Sequence, residues 1–322
     1  MKTLVTDIEQ FKNFHSVVFY DIDTKETFDY VVHESRNEFP EYVKFLESCT
    51  KTTGFIGFNI IGYDYPLFHY ILTNKKRLLQ LKVEDIVAEL FNKSKEIIKD
   101  EHSAIPHWKC KIKLLDLFRI HHFNNIARRT SLKALQVAMR WSKVQDLPFH
   151  YTHWVEASEI DAIQEYCRND VMSTYQFYLE SKDKIKFRKR MSKEYRISFT
   201  NYPDVKIGEE LLIFENAKAL NITPRELREL RTKRDFIKLK DVMLPYIKFQ
   251  SKHFNMALDY FKNAVIDASN TKDALKHSVI YGGVKYDYGL GGIHGTCGNG
   301  VYKSDDKGDL ILVDVSSYYP NL

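Results

Sequence analysis

The chain begins with Thr3-Leu4-Val5-Thr6-Asp7-Ile8-Glu9, an apolar run ending in two acids, which predicts a buried strand. Side chains alternate along a strand, so Asp7 and Glu9 share one face while Ile8 enters the core. Two further runs, His15–Tyr20 and Thr27–Val32, flank the turn Asp21-Ile22-Asp23-Thr24-Lys25 and predict an antiparallel meander. The spacing then turns helical from Glu41 to Cys49, with Tyr42, Phe45 and Leu46 on one side. Gly54–Asn59 is a short apolar strand, and the Tyr63-Asp64-Tyr65-Pro66 stretch after it predicts a helix start with Asp64 in or just before the first turn. Residues 75–100 read as charged amphipathic helix, Ile112–Phe118 as a strand containing an acid, and Thr130–Leu135 as a helix capped by Thr130 or Ser131.

Ala157–Glu180 gives the strongest helical pattern, and it places Tyr166 and Asp170 one turn apart on the same face. The helix runs on into the basic stretch Lys182–Arg190, whose interleaved Ile185 and Phe187 suit either a phosphate-tracking surface or a solvated face. Residues 200–278 read as mostly helical, with a capping box at Thr223-Pro224-Arg225-Glu226. From Val279 onward the texture is glycine-dense and strand-like, and Leu310–Val313 predicts a strand apolar on both faces that leads into Asp314.

Composition narrows the class. At 322 residues with 44% hydrophobic and 14% aromatic content, the chain suits about two globular domains. No apolar run approaches the ~20 residues that cross a bilayer, and the run after Lys2 is too short for a signal-peptide core. Four scattered cysteines without a Cys-x-x-Cys pair fit reduced thiols in a cytoplasm and argue against structural zinc. Residues 1–180 carry a net charge of −2 and the remaining 142 carry +7, which suits a catalytic unit joined to a part that meets polyanions.

Taken singly, the acids have plain readings. Asp7 and Glu9 fit a fraying strand end, Asp64 an N-cap, and Tyr166 with Asp170 a surface pair. The adjacent His121 and His122 face apart on any regular element, and a polar loop accounts for them. Together, Asp7, Glu9, Asp64 and Asp170 make the carboxylate set that two-metal phosphodiester hydrolysis needs, with Tyr166 placed to orient water.

Order and flanking residues also match a family. Asp7-Ile8-Glu9, Asn59-x-x-x-Tyr63-Asp64 and Tyr166-x-x-x-Asp170 resemble the three exonuclease motifs of the DEDD superfamily in its tyrosine-bearing form. Tyr281-Gly282-Gly283 resembles the link between exonuclease and polymerase domains of family B DNA polymerases. Asp314-Val315-Ser316-Ser317-Tyr318-Tyr319-Pro320 resembles their motif A, with Tyr318 where leucine is usual. The Gly291-Gly292-Ile293-His294 run fits the bacteriophage-type members.

The resemblance implies an α/β ribonuclease H-like exonuclease domain over 1–180, a mostly helical basic linker over 181–278, and the beginning of a polymerase palm over 279–322. It implies two Mg²⁺ ions, replaceable by Mn²⁺, on Asp7, Glu9, Asp64 and Asp170, with Asp314 as one of a pair of palm ligands. Asn59, Tyr63, Tyr281, Gly282 and Gly283 would contact DNA, and Tyr319 would contact the nucleotide. The expected activity is 3′→5′ proofreading on a single-stranded 3′ end or primer-template, in a host cytoplasm if the source is viral. The later palm motifs do not occur, so no polymerase activity is expected of this chain without a remaining polymerase chain. Two other readings compete: a DEDD nuclease acting on RNA, which leaves residues 279–320 unexplained, and a non-catalytic DNA-binding subunit of a split polymerase.

Overall fold

The structure is a computed structural model that describes residues 2–50, 52–100, 104–126, 129–230, 232, 234–267, 269, 273–289, 292–306 and 308–311. The chain divides into two compact units, Met1–Leu227 and Arg228–Leu322.

The first unit is mixed α/β. It contains β1 (Lys2–Gln10), β2 (His15–Asp21), β3 (Thr27–His33), β4 (Arg36–Asn37), α1 (Phe39–Cys49), β5 (Thr53–Gly57), α2 (Asp64–Leu78), α3 (Val83–Lys99), β6 (Lys113–Asp116), α4 (Leu117–Ile120) and α5 (Leu132–Ala138). It continues through α6 (Ile160–Glu180), α7 (Lys182–Tyr195) and α8 (Asp204–Ala219), and α9 (Pro224–Glu229) lies at its end. The six strands form one sheet in the order β4-β3-β2-β1-β5-β6. The meander β1 to β4 is antiparallel, whereas β5 runs parallel to both β1 and β6.

Alternation along β1 sends Leu4 and Ile8 to one face, where they join Val17, Phe19, Tyr42, Leu46, Phe68 and Leu90 in a core under α1, α2 and α3. Val5 goes to the other face with Val18, Tyr20, Ile56, Cys167 and Val171, under α6. Both faces of the sheet are thus covered by helices, which accounts for the fully buried β2 and β5. The charged region 75–100 is two helices, broken between Leu78 and Val83. Ser131, rather than Thr130, caps α5: its Oγ accepts from the Ala134 N–H at 3.1 Å.

The basic run on α7 is not a uniform solvated face. Arg188 is 1% exposed; it donates to the Ile120, Tyr202 and Lys184 carbonyls and pairs with Asp204 at 2.6 Å. The predicted capping box on α9 is present, with Glu226 accepting from the Thr223 N–H at 2.6 Å and Thr223 accepting from Glu226 at 3.2 Å.

The second unit holds β7 (Phe236–Lys238), α10 (Lys252–Asn263), β8 (Val265–Asp267), β9 (His277–Tyr281), β10 (Val284–Gly289) and β11 (Gly292–Thr296). Residues 181–278 are therefore less helical than expected, because β7 and β8 pair antiparallel within them. The reason is non-local: each strand is three residues long, too short to show a period, and each is fixed by the other. β9, β10 and β11 form an antiparallel meander, and α10 packs on it through Phe254 against Tyr281 and Tyr286 and through Phe261 against Tyr288. Gly282 and Gly283 turn between β9 and β10 with φ of +61° and +79°, a two-residue hairpin that needs left-handed backbone. Leu310 and Ile311 are exposed and not in a strand, while Leu312 and Val313 lie outside the described residues.

Candidate active site

The two acids of β1 face α6, on the side of the sheet opposite Ile8. Carboxylate oxygens of Asp7 and Glu9 and the Cys167 Sγ all lie within 4.8 Å of one another. Asp64 is the first residue of α2, after the turn that leaves β5, and is 2% exposed. Asp170, on α6, is 8% exposed. The structure thus brings the acids of three separate elements into one electrostatic group, as the charges acting on Asp7 make plain.

Burial pushes the Asp7 carboxyl well above the usual carboxylate range, and the charges of Asp64, Glu9 and Asp170 push it further. Glu9 is raised by burial and then by Asp170 and Asp64. Asp64 is pushed up to about 7 by burial and by the charge of Asp116, against partial relief from the N–H groups of Asp64 itself and Ile8. Burial raises Asp170 as well, offset by hydrogen bonds from Gln136 and Tyr166 and by the charge of Lys133. One Asp64 oxygen, Oδ1, is buried without any hydrogen-bond partner. A buried carboxylate oxygen left unpaired is costly, and a cation is one partner that would relieve that cost.

Tyr166 is half-buried and bonds to Asp170, one turn away. Burial and the surrounding acids raise its hydroxyl pKa, so it stays a proton donor near neutral pH. Asn59 adopts a left-handed φ of +65°, and its carbonyl accepts from the Gly62 and Tyr63 N–H groups at 2.9 and 3.1 Å. A Cβ on Gly62 would meet Asn59 Oδ1 at 2.4 Å, so a larger residue there would displace the Asn59 side chain. The Tyr63 hydroxyl bonds to Ser94 Oγ of α3 at 2.8 Å.

Three supporting residues were not singled out from sequence. Gln136, 1% exposed near the end of α5, donates to Asp170 Oδ1 at 2.7 Å and to Ser173 Oγ at 2.8 Å, so it holds the carboxylate in place. A lone glutamine on a short helix gives no signal of this kind. Trp141 donates from Nε1 to Asn169 Oδ1 at 2.9 Å, tying the segment after α5 to α6 beside Asp170. Asp116, fully buried at the end of β6, accepts backbone N–H groups from the Asn59–Ile61 turn; the strand ending in an acid was its visible trace. Cys167 also reaches the site, but its thiol donates to the Asp7 carbonyl at 3.6 Å, and burial with four nearby acids keeps it protonated. The other side-chain donors of the group are hard carboxylate oxygens.

His121 bonds to Ser181 Oγ at 2.9 Å and His122 to Asn125 at 3.1 Å, which fits their reading as a local polar turn. Tyr281, Gly282 and Gly283 belong to the second unit, where Tyr281 is 47% exposed. Asp314 and Tyr319 lie outside the described residues. Among the described residues, no helix is long and apolar enough to cross a membrane. Comparison with protein-family models, curated proteins and solved structures finds no match to this chain.

Proposed function

We propose that the protein is a metal-dependent 3′→5′ DNA exonuclease on a ribonuclease H-like unit, the proofreading part of a bacteriophage-type family B DNA polymerase. The observation that carries the metal-site reading is the buried, unpartnered Asp64 Oδ1 together with Asp7 and Glu9, whose carboxyls are raised by burial and by the charges of Asp64 and Asp170. The donor set fits Mg²⁺, which prefers carboxylate oxygen, and Mn²⁺ as its substitute. Two such ions would activate a water and stabilise the leaving oxygen of a phosphodiester. Asp7, Glu9, Asp64 and Asp170 would hold them; Gln136 fixes the orientation of Asp170; the Tyr166 hydroxyl, which keeps its proton and donates a hydrogen bond to Asp170, would orient the water by accepting from it. The motif resemblance alone assigns Asn59 and Tyr63, on the turn before Asp64, to the DNA 3′ end; the Tyr63 hydroxyl itself bonds to Ser94.

The choice of DNA, and the assignment of Tyr281, Gly282, Gly283, Asp314 and Tyr319 to DNA and nucleotide contacts, rests on the motif resemblance. In this reading the partners are primer-template DNA and the rest of a polymerase, in a cytoplasm. The test is degradation of a 3′-labelled single-stranded oligonucleotide with Mg²⁺, Mn²⁺ or EDTA, beside an RNA of the same sequence. Activity from the 3′ end of DNA, abolished by EDTA and lowered about 10²-fold or more in kcat by Asp7→Ala or Asp170→Ala, is the expected result. Undiminished activity in Asp7→Ala would remove the metal-site reading, and a preference for RNA would remove the polymerase assignment.

A further inference from the structure

We propose that Asp116 is a positioning residue of the acid site: it grips the turn that carries Asp64 and thereby sets the affinity of the site for metal. The inference rests on the metal-site reading above. Asp116 ends β6, the edge strand beside β5, and is 0% exposed. Its Oδ1 accepts from the N–H groups of Asn59 at 3.1 Å, Phe118 at 3.0 Å and Arg119 at 3.3 Å, and its Oδ2 accepts from Ile61 at 3.0 Å. Arg119 Nε stands 3.9 Å from Oδ2. Both oxygens are thus engaged by backbone donors, which makes Asp116 a brace for the turn.

What it holds is the path from β5 to α2. Asn59 sits in left-handed backbone, its carbonyl takes the Gly62 and Tyr63 N–H groups, and the Ile60 carbonyl takes the Tyr65 N–H at 2.8 Å. The path is also tight: a Cβ on Gly57 would come within 2.7 Å of the Ile60 Cβ. The N–H groups of Asn59 and Ile61 point away from these bonds toward β6, and Asp116 is the acceptor that takes them. Without that carboxylate the turn keeps its internal bonds but loses its anchor to the sheet, and Asp64 moves with it. Asp116 is anchored in its turn by Asn201, whose Oδ1 accepts from the Asp116 N–H at 2.8 Å while its Nδ2 donates to the Leu114 carbonyl at 3.0 Å. Asn201 thereby supplies the open edge of β6 with the bonds a seventh strand would have made. Outer partners that orient metal ligands change affinity by about 10–100-fold when removed.

The experiment measures Mn²⁺ binding to the full chain by the EPR signal of free Mn²⁺, at a temperature well below the melting point of every variant. Asp116→Asn keeps a carbonyl oxygen for three of the four N–H groups and turns an amide NH₂ toward Ile61, so the fold persists while the anchor weakens. Its dissociation constant for Mn²⁺ should rise about tenfold or more, and Asn201→Ala should raise it by a smaller factor. Arg119→Met leaves the four N–H bonds in place and strengthens the negative field, so it should leave the constant unchanged or lower it. A purely structural role would lower the melting temperature and leave Mn²⁺ affinity untouched; equal affinity in wild type and Asp116→Asn overturns the proposal. A rise in Arg119→Met as large as in Asp116→Asn does the same. If Asp116→Asn does not fold, Asn201→Ala decides by the same readout. Wild-type protein that binds no Mn²⁺ overturns the metal-site reading itself, a result distinct from equal binding by the two forms.

Discussion

Replacing Asp64 by asparagine in the metal-free protein removes one buried charge and almost nothing else. With EDTA present, the Asp64 carboxyl titrates at about 7 in the folded chain, against 3.8 for an ordinary aspartate. The folded state holds this proton more tightly than the unfolded chain does. Its contribution to stability is therefore full below pH ~4, falls as the pH rises to ~7, and stays lost above that. A shift of about three units at ~1.36 kcal/mol each amounts to about 4 kcal/mol. For a unit of about 150–250 residues, each kcal/mol moves Tm by about 2–4 °C, so the cost at pH 8 is on the order of 10 °C. Asparagine is neutral throughout and keeps an oxygen for the Ile8 and Asp64 N–H groups. Asp64→Asn should therefore melt on the order of 10 °C above wild type at pH 8 in EDTA and close to wild type at pH 4.5. Adding Mg²⁺ should raise the wild-type Tm at pH 8 and leave the variant where it was, while nuclease activity is lost. Thermal melts across pH with EDTA or Mg²⁺ measure all three. A variant that melts at or below wild type at pH 8 in EDTA would refute the argument that this carboxylate is held charged at a cost.

Three shorter predictions follow from other buried groups. Tyr166→Phe should slow hydrolysis less than Asp170→Ala does and leave the Mg²⁺ midpoint unchanged, since phenylalanine removes a proton donor and no ligand; a midpoint displaced as far as in the aspartate variant would assign Tyr166 another role. His15 is fully buried, bonds Gln10 through Nδ1 at 2.8 Å, and has its pKa lowered to about 3, so its share of stability is present above pH 6.5 and is lost as the pH falls toward 3, by up to about 5 kcal/mol. His15→Gln should flatten the acid limb of a pH–stability curve, and an unchanged limb would count against buried neutral imidazole as its cause. Arg188→Met leaves three carbonyls without their buried donor, while Asp204, 56% exposed, keeps Lys184 at 2.7 Å, and it should cost about 1–3 kcal/mol in chemical denaturation; no measurable loss would show those carbonyls to be satisfied by water.

What could be read from the sequence was whatever has a local period or a local cap. Alternation placed Asp7 and Glu9 on one face of β1, and 3.6-residue spacing put Tyr166 beside Asp170 on α6. The Thr223–Glu226 box was legible for the same reason, since it is complete within four residues, whereas the strand-like reading from Val279 onward missed the turn at Gly282-Gly283. The parallel pairing of β1 with β5 and the β7–β8 pair were not, because partners distant in the chain carry no mark of each other. Gln136 belongs with these: its bond to Asp170 spans 34 residues, and nothing in a Leu-Gln-Val context announces it.

Asp64 and Asp116 show where the limit falls. Both are acids at the edge of an apolar run, both are buried, and a helix begins at or beside each. Sequence alone assigns either of them equally well to a cap, a metal or a solvated end. What separates them is how their oxygens are filled. Asp116 has four N–H groups on two oxygens, so it acts as a brace that fixes backbone. Asp64 has a buried oxygen with no donor and three acids sharing its surroundings, and the proposed metal site rests on that difference. The distinction is one of hydrogen-bond supply, and that supply comes from residues up to 57 positions away. In the proposed reading an acid becomes a ligand where the fold leaves one of its oxygens without a donor, and Asp116, which takes its donors from the turn before α2, is the brace that holds Asp64 beside the other acids.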